Sequence, residues 1–182
     1  MGILNVTPDS FSDGGEYLSK NEAVGRALQM VHEGADIIDI GGESTRPGAE
    51  PVSEEEELSR VLPVVEALVS EVNVPISIDT YKSTVANLCF EAGASIINDI
   101  SALRFDDAMT ELVANYSAYV VLMHMKGTPR NMLDAPDYRD VVGEIKVFFE
   151  ERITAAKSSG IARKRIILDP GIGFGKTPIH NF

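Results

Sequence analysis

The fold is indicated most directly by the segment Gly34-Ala35-Asp36-Ile37-Ile38-Asp39, which has a close counterpart in Gly93-Ala94-Ser95-Ile96-Ile97-Asn98. Each copy has a glycine of the kind that often ends helices, then two isoleucines, then a polar side chain. Taken alone, this pattern is also what many unrelated helix-to-strand turns look like. Four further runs of the same character make a repeated β/α module the better interpretation.

Six runs of the chain are apolar and stop at a polar side chain. They are Ile3-Leu4-Asn5, Ile37-Ile38-Asp39, Ile76-Ser77-Ile78-Asp79, Ile96-Ile97-Asn98, Val120-Val121-Leu122-Met123-His124 and Ile166-Ile167-Leu168-Asp169. The segments between them are long enough for crossover helices, which parallel strands require. Because β/α sheets and barrels build their sites at the carboxyl ends of their strands, the polar tips are predicted to gather at one site.

Helical periodicity fills the segments between these runs. The first helix is predicted over residues 21–33, with Ala23, Val24, Ala27, Leu28 and Val31 on one face. A capping box of Ser53 and Glu56 is predicted to begin the second helix, and the acidic run of residues 54–57 is interpreted as its solvated first turn. Further helices are predicted over 82–92, 106–116 and 137–159.

The length of the chain, 182 residues, is short for a closed eight-fold barrel, which typically needs about 250. The fold class is therefore expected to be α/β, a (β/α)8 TIM barrel that is incomplete and has about six β/α units. We expect residues 1–182 to form a single domain that is truncated at its C-terminus. A complete six-stranded open sheet is the alternative, and an open barrel would expose strand edges and apolar interior residues.

Composition narrows the classes of partner. A formal net charge of -12 argues against nucleic acid, which normally requires a basic face. No apolar run approaches the roughly 18 residues of a membrane span, so neither a membrane segment nor a signal peptide is predicted, and a cytoplasmic location is expected. Cys89 lies in a helical pattern and is interpreted as a buried structural thiol rather than a nucleophile.

The loops after the first two runs carry candidate binding residues. Phe11 lies in the middle of a polar loop, where a purely structural loop rarely needs a phenylalanine. Arg46 lies between glycine-permitted turns and could hold a carboxylate or phosphate by two hydrogen bonds. The alternative for Arg46 is an ordinary surface salt bridge.

The loop after the sixth run, residues 169–177, is rich in glycine but matches no nucleotide motif. A Walker motif needs glycine where Pro170 stands, and a dinucleotide fingerprint needs glycine where Lys176 stands. Phe174 in this loop could pack on a flat ligand. The role of His124, at the start of the preceding site loop, is left open, and His32 is interpreted as an exposed bystander.

The polar tips offer two kinds of chemistry. Asp39, Asp79 and Asp169 could bind magnesium, but their strands are separated around a barrel, and no tight His/Cys spacing suggests zinc. A buried polar array that binds a heterocycle with amino, imino and keto edges fits better, with apolar strand residues as its floor. The alternative for Asp39 and Asn98 is that they only cap loops.

At this point the motifs resemble those of the dihydropteroate synthase family, in order, at family-like spacing and over the whole chain. The matching motifs are Asn5-Val6-Thr7-Pro8-Asp9-Ser10-Phe11-Ser12-Asp13-Gly14-Gly15, Gly42-Glu43-Ser44-Thr45-Arg46-Pro47-Gly48-Ala49, Asp79-Thr80-Tyr81-Lys82, Asn98-Asp99, His124-Met125-x-Gly127-x-Pro129 and Asp169-Pro170-Gly171-Ile172-Gly173-Phe174-Gly175-Lys176. The first two are highly specific for this family, and the others are partly shared with relatives that bind folates.

The resemblance implies an enzyme that condenses 6-hydroxymethyl-7,8-dihydropterin pyrophosphate with p-aminobenzoate, giving dihydropteroate and pyrophosphate. It implies that Asp79, Asn98 and Asp169 hydrogen-bond the pterin. It further implies that Asn5 helps to hold magnesium (Mg2+) and the pyrophosphate. The remaining substrate contacts that we expect are Thr45 with the pterin, Phe11, Arg46, Pro47 and Phe174 around p-aminobenzoate, where sulfonamides compete, and Met123 and Gly173.

The chain departs from the family pattern at its C-terminal side. The Ser-Arg-Lys segment of a seventh strand and the arginine and histidine of an eighth are not in the sequence, so the 182-residue chain is expected not to catalyse the reaction alone. Two rivals stay open: a methyltransferase of the methyltetrahydrofolate:corrinoid type, and a non-catalytic fragment that binds pterin weakly or not at all. The family tends to pair, so a homodimer is possible.

Overall fold

Six parallel strands form one sheet in the order β1-β2-β3-β4-β5-β6 in the computed structural model. The structure describes residues 1–7, 15–46, 48–132 and 137–181, with the backbone alone over 15–19. The strands are β1 (Gly2–Asn5), β2 (Ile38–Gly41), β3 (Ile76–Asp79), β4 (Ile96–Asp99), β5 (Tyr119–Met123) and β6 (Ile166–Asp169). The helices are α1 (Gly15–His32), α2 (Glu54–Leu68), α3 (Ser83–Ala92), α4 (Asp107–Tyr116) and α5 (Val141–Ser158). Since a helix separates each strand from the next, the predicted repeat of β/α units is confirmed.

The main core lies between the sheet and the helices. Alternate strand residues point to opposite faces, and the isoleucines, leucines and valines of one face pack on the helices. The buried strand residues of this layer are Leu4, Ile38, Ile40, Ile76, Ile78, Ile97, Val120 and Leu122. Each such side chain contributes about 1.5–3 kcal/mol when it leaves water, so this layer holds the strands in register and positions their carboxyl ends.

The opposite face of the sheet is concave. The side-chain amide of Asn98 on β4 donates a hydrogen bond to Asp39 Oδ2 on β2 at 3.0 Å, although β3 lies between these strands. Neighbouring strands lie about 4.8 Å apart, so side chains from strands two apart meet only when the sheet curves toward them. Such curvature is typical of the wall of a β/α barrel, and the alternation of parallel strands with helices confirms the expected α/β class.

The tip position predicted for Asp39 is wrong. The second strand runs from Ile38 to Gly41, so Asp39 lies near its beginning and is buried on the concave face. The apolar run misled the prediction because the strand continues through Ile40 to a glycine. The residue at the carboxyl end of β2 is therefore Gly41.

The helix boundaries differ from prediction at two places. Helix α1 begins at Gly15, earlier than expected, and α5 begins at Val141 rather than at residue 137. Asp140 sets the start of α5, because its side chain accepts a hydrogen bond from the Gly143 amide at 3.0 Å. Leu28, expected on the core face of α1, is instead partly exposed.

The start of α2 shows both a confirmed and a wrong prediction. Ser53 Oγ accepts from the Glu56 amide at 3.1 Å, which confirms the cap, while the Glu56 carboxylate pairs with Arg60. The acidic first turn is not solvated throughout, because Glu57 is only 1% exposed. A buried carboxylate needs a partner, and Lys82 supplies one.

The two outer strands of the described sheet, β1 and β6, each pair with one neighbour. Ile3 is 62% exposed and Leu168 is 42% exposed, which agrees with the exposed edges expected for an open barrel. Among the described residues, no helix is both long enough and apolar enough to cross a membrane.

Candidate active site

The carboxyl ends of β1, β2 and β3 bring two candidate residues to one place. In the strand register Asn5 pairs with Gly41, and Gly41 pairs with Asp79. A Cβ atom at Gly41 would lie 3.5 Å from Asp79 Oδ2 and 3.6 Å from Asn5 Oδ1. Because glycine has no side chain, both oxygens border the same open space above the strand end.

The carboxyl group of Asp79 lies in surroundings that disfavour its charged form. Burial, reinforced by the carboxylates of Asp39, Glu57 and Asp99, raises the pKa of Asp79 well above its ordinary value. Within the described part of the chain, no donor forms a hydrogen bond with this carboxyl group. It can therefore offer a ligand both an acceptor and, when protonated, a donor.

Asn98 is held in a fixed orientation beside Asp79. The two residues pair in register, and the bond from Asn98 Nδ2 to Asp39 leaves the amide oxygen as the free end of the side chain. Burial raises the pKa of Asp39, while the nearby polar side chains of Ser77 and Asn98 oppose that rise. Asp39 thus supports Asn98 from below.

Asp169 ends β6, as predicted, and begins the last site loop. Its Oδ1 accepts from the Gly171 amide at 2.7 Å, and its backbone oxygen accepts from the His124 amide at 2.9 Å. Met123 is its partner in the strand register. The side chain of Asp169 therefore lies at the same end of the sheet as Asp79 and Asn98.

An apolar cluster lies at this end of the sheet, apart from the main core. Phe174 and Tyr81 pack against it, so Phe174 and Met123 are brought together as expected for parts of one site. Its buried members are Ile100, Met123, Met125 and Met132. Thioether and aromatic surfaces of this kind suit the face of a flat ring.

The two site loops after β5 and β6 are joined by a buried lysine. The Lys176 ammonium lies 3.0 Å from His124 Nδ1 and donates to the carbonyl oxygens of Gly171 at 2.9 Å, Phe174 at 3.1 Å and His124 at 3.3 Å. Burial lowers the pKa of Lys176 to about 8, against the attraction of Asp169. Burial and Lys176 together lower the pKa of His124 to about 4. His124 is therefore neutral at pH 7 and serves as the hydrogen-bond acceptor that fastens the loop.

Gly171 allows these loops to approach closely. Its φ is +66°, and a Cβ atom there would overlap the His124 carbonyl oxygen. Only glycine combines this left-handed conformation with the absence of a side chain. Gly171 thus serves the packing of the last loop against the loop after β5.

The loop after β2 is fastened by a buried ionic group, which we name the Lys82 cluster: Glu43, Glu57, Tyr81 and Lys82. The Lys82 ammonium lies 2.5 Å from Glu43 Oε2 and 2.5 Å from Glu57 Oε2. The Tyr81 hydroxyl donates to Glu43 Oε1 at 2.9 Å. Burial alone lowers the pKa of Lys82, but the hydrogen bonds to Glu43 and Glu57 outweigh it, so the pKa is raised and the ammonium stays charged.

The cluster was not foreseen from the sequence. Glu43 and Glu57 lie 39 and 25 residues before Lys82, so no local spacing connects them. The only available signal was the apolar stretch after Glu57, which could have placed that carboxylate on the inner face of α2.

The remaining predicted residues have mixed outcomes. Thr45 is half-buried and Arg46 is exposed, and no ion pair to Arg46 is present among the described residues. The Gly173 amide donates to Asn181 Oδ1 at 2.9 Å. Phe11 and Pro47 lie outside the described residues.

Cys89 is fully buried, and burial raises its pKa to about 12, so it is a structural thiol as predicted.

Comparison with known proteins gives the family. The model described as "Pterin binding enzyme" matches residues 1–182. The dihydropteroate synthase of Escherichia coli is 52% identical over 182 residues, which cover 100% of this chain and 64% of that protein. Among solved structures, the Yersinia pestis dihydropteroate synthase with a sulfonamide drug complex superimposes with a TM-score of 0.93 at 50% identity and covers 100% of this chain and 66% of that one. The Xanthomonas albilineans enzyme with 4-aminobenzoic acid gives 0.91 at 51% identity, with 100% and 64% covered.

The chain thus spans a little less than two thirds of the length of these relatives. Its whole length takes part in each match, and the strand-end residues described above lie within the matched region. The chain belongs to the family of pterin-binding enzymes.

Proposed function

We propose that this chain provides the pterin site and part of the p-aminobenzoate site of a dihydropteroate synthase. The reaction would join 6-hydroxymethyl-7,8-dihydropterin pyrophosphate and p-aminobenzoate into 7,8-dihydropteroate and release pyrophosphate. The observation that carries this proposal is the group of Asp79, Asn98 and Asp169 at one end of the sheet beside an apolar cluster. The proposal is supported by the dihydropteroate synthase of Escherichia coli, which is 52% identical to this chain over all 182 residues.

The polar tips suit the edge of a pterin ring. Its amino, imino and keto groups need both donors and acceptors, and Asp79 with a raised pKa offers both. The oriented amide of Asn98 and the carboxylate of Asp169 add further partners. Met123 would lie against the ring face.

The chemistry needs no protein nucleophile. The amine nitrogen of p-aminobenzoate attacks the methylene carbon, the carbon-oxygen bond to pyrophosphate breaks, and the amine loses a proton. Positive charge that develops on the ring would be stabilised by the carboxyl group of Asp79 beside it. Because the substrate amine is the nucleophile, the site needs no activated serine or cysteine, and none is found among its described residues.

The p-aminobenzoate side would be formed by the loops after β1, β2 and β6. Arg46 is exposed and unpaired within the described residues, so its guanidinium is available to the substrate carboxylate. Phe174 would contact the benzene ring. The further members proposed for this pocket are Phe11, Thr45, Pro47 and Gly173.

Magnesium fits the residues present only as an ion shared with substrate. Among the described residues, no group of three or more His, Cys, Asp and Glu side chains could hold a metal ion. Asn5 offers one oxygen at the open space beside Gly41, and Mg2+ is often held by one or two protein oxygens together with substrate phosphates. The ion would neutralise charge on the departing pyrophosphate, and Asn5 would orient it.

The proposal is tested with a chimera in which residues 1–182 replace the segment that they match in the Escherichia coli enzyme. We expect this chimera to form dihydropteroate from the two substrates, measured by chromatography of the product. Asp79→Asn should lower kcat/KM at least about a hundredfold, because it removes the ionisable carboxyl group while the size is kept. His32→Asn, on the exposed face of α1, is the matched control and should keep full activity.

Two outcomes of this experiment would contradict the proposal. A folded chimera without product, or one that Asp79→Asn leaves unchanged, would exclude the proposed role of these residues. Pterin binding without competition from p-aminobenzoate or a sulfonamide would favour the methyltransferase alternative instead. The 182-residue chain alone is still expected to be inactive, and product formation by it would show that expectation to be wrong.

A further inference from the structure

Both ends of the loop after β2 are attached to one side chain. Glu43 begins the loop and accepts a hydrogen bond from the Lys82 ammonium, and Val52 at the other end gives its carbonyl oxygen to the same ammonium at 2.8 Å. The Val52 amide also donates to Glu43 Oε2 at 3.2 Å. The loop is therefore closed at its base around Lys82.

At the base of the loop, the Arg60 guanidinium also donates to the Gly42 carbonyl oxygen at 2.7 Å. The attachments farther along the loop are weaker. At its tip the Gly48 amide donates to the Pro129 carbonyl oxygen at 3.2 Å, and Glu50 pairs with Arg130. Both side chains of that pair are more than half exposed, and exposed pairs contribute only about 0–1 kcal/mol. The base, not the tip, holds the loop.

Lys82 is the cation that the carboxylates of Glu43 and Glu57 share. No other ammonium or guanidinium in the described part of the chain pairs with Glu43 or Glu57. Without Lys82, two carboxylates would remain close together in a largely buried space, and Glu43 would be repelled from its position. Glu57 is fixed on α2, so the displacement would fall on the loop.

The same lysine lies directly after the strand that ends at Asp79. The segment Thr80-Tyr81-Lys82 joins that strand end to α3, and Tyr81 adds its own bond to Glu43. The position of Thr45 and Arg46 relative to Asp79 is therefore set through this short connection. The segment Thr80-Tyr81-Lys82 thus lies between the proposed pterin site and the proposed p-aminobenzoate site.

We propose that Lys82 is a positioning residue: through Glu43 it fixes the loop of Thr45 and Arg46 at the distance from Asp79 that condensation of the two substrates requires. Lys82 itself touches neither substrate. The inference rests on the proposed function for its consequence in catalysis, but its structural part can be tested without any substrate.

Hydrogen–deuterium exchange of the 182-residue chain tests the structural part. In Lys82→Met, we expect the Val52 amide and the other amides of residues 43–52 to exchange at least about tenfold faster, while residues 76–79 keep their protection. Lys82→Arg should restore part of the protection, because a guanidinium can still bridge the two carboxylates. Arg26→Met removes an exposed ion pair on α1 and should change neither region.

Tyr81→Phe keeps all the charges and removes one hydrogen bond. The amides of residues 43–52 should therefore exchange faster than in the wild type, but by a smaller factor than in Lys82→Met. The proposal is overturned if protection of residues 43–52 is unchanged in Lys82→Met. It is also overturned if protection falls equally over the sheet, since that would show general destabilisation. Glu43→Ala decides the matter if Lys82→Met does not fold, because it cuts the link from Lys82 to the loop, and unchanged exchange of the amides of residues 44–51 in that variant contradicts the proposal.

The chimera described above tests the catalytic part. Lys82→Met should raise KM for p-aminobenzoate about tenfold or more, with little change in KM for the pterin substrate, and Lys82→Arg should recover part of the loss. Equal increases in both KM values would overturn the positioning role. If the chimera makes no product at all, the proposed function fails, while the exchange measurement still decides whether Lys82 holds the loop.

Discussion

His124 shows how a residue at a strand end can serve the site without touching a ligand. Its ring is buried against Phe148, and its Nδ1 faces the Lys176 ammonium. A neutral imidazole can accept that hydrogen bond, whereas a protonated one would repel the lysine. The protonation state of His124 therefore affects how the loop after β6 is held against the loop after β5.

This arrangement predicts acid sensitivity. The pKa of His124 is about 4 in the folded protein and 6.5 in its ordinary state, so the unfolded chain binds more protons between these values. Stability should fall as the pH drops below 6.5, and this loss should be complete near pH 4. It would amount to at most about 3–4 kcal/mol, at 1.36 kcal/mol for each pKa unit.

Urea unfolding at pH 7 and pH 5 measures this dependence. His124→Gln should be less stable than the wild type at pH 7 but should lose less stability on acidification. His32→Gln changes an exposed histidine and should keep the wild-type dependence. An equal loss of stability in the wild type and in His124→Gln would contradict the prediction.

The sequence predicted the positions of site residues that lie at the ends of strands. Asn5, Asp79 and Asp169 end their strands as predicted, because apolar runs mark strands and parallel strands end together. Lys82 and Lys176 could not be predicted in this way. Their partners come from other loops, and a buried lysine looks the same in sequence as an exposed one.

At the scale of single elements, the last site loop depends on backbone contact. Gly171 and Gly173 both have positive φ, but only Gly171 lies against the His124 carbonyl group. Each residue type other than glycine costs about 1–2 kcal/mol in this conformation. A side chain at position 171 adds an overlap with backbone that cannot move freely.

Gly171→Ala should therefore destabilise the protein by about 2 kcal/mol more than Gly173→Ala, measured by chemical denaturation. The second variant is the matched control, because it introduces the same strain in open space. Similar losses in the two variants would mean that the loop relaxes around an added methyl group. Met123 and Phe174 should also separate in the first variant, since the loop carries Phe174.

The bounds of α3 and α4 were predicted to within one residue, whereas the contacts of the helices were less predictable. Ser53 and its cap followed from a local pattern, whereas the burial of Glu57 depends on a lysine of another β/α unit. The end of β2 was misplaced because the polar Asp39 was interpreted as the strand end, although the strand continues through Ile40 to Gly41. Local patterns specify where elements lie, and contacts between units specify which polar groups are buried.

At the scale of the whole molecule, the sheet has two outer strands with exposed apolar residues. Ile3 on β1 and Leu168 on β6 are among them. Unpaired strand edges with apolar side chains favour association with other chains. We expect the 182-residue chain to form larger species as its concentration rises, measured by sedimentation velocity.

Ile3→Lys together with Leu168→Lys should reduce this association. Val147→Lys replaces an exposed apolar residue on α5 and should leave it unchanged. A single dimer that does not grow with concentration would contradict association through the edges, and it would agree with the homodimer expected from the family.

The architecture itself was visible in the sequence because it is repeated. Each unit carries the same order of helix end, apolar strand and polar tip, so errors in one unit, such as that at Asp39, did not change the topology. The curvature that joins Asn98 to Asp39 is a property of the assembled strands, and no single unit encodes it.

The Lys176 ammonium, surrounded by three carbonyl oxygens and an imidazole nitrogen, resembles a monovalent cation bound in a cage of backbone oxygens. This cation is covalently tethered and cannot dissociate into the solvent. Because the group is buried, dissolved salt screens it much less than it screens exposed charges. We therefore expect the geometry around Phe174 to depend little on the potassium or sodium content of the medium, unlike that of a site that binds a free ion.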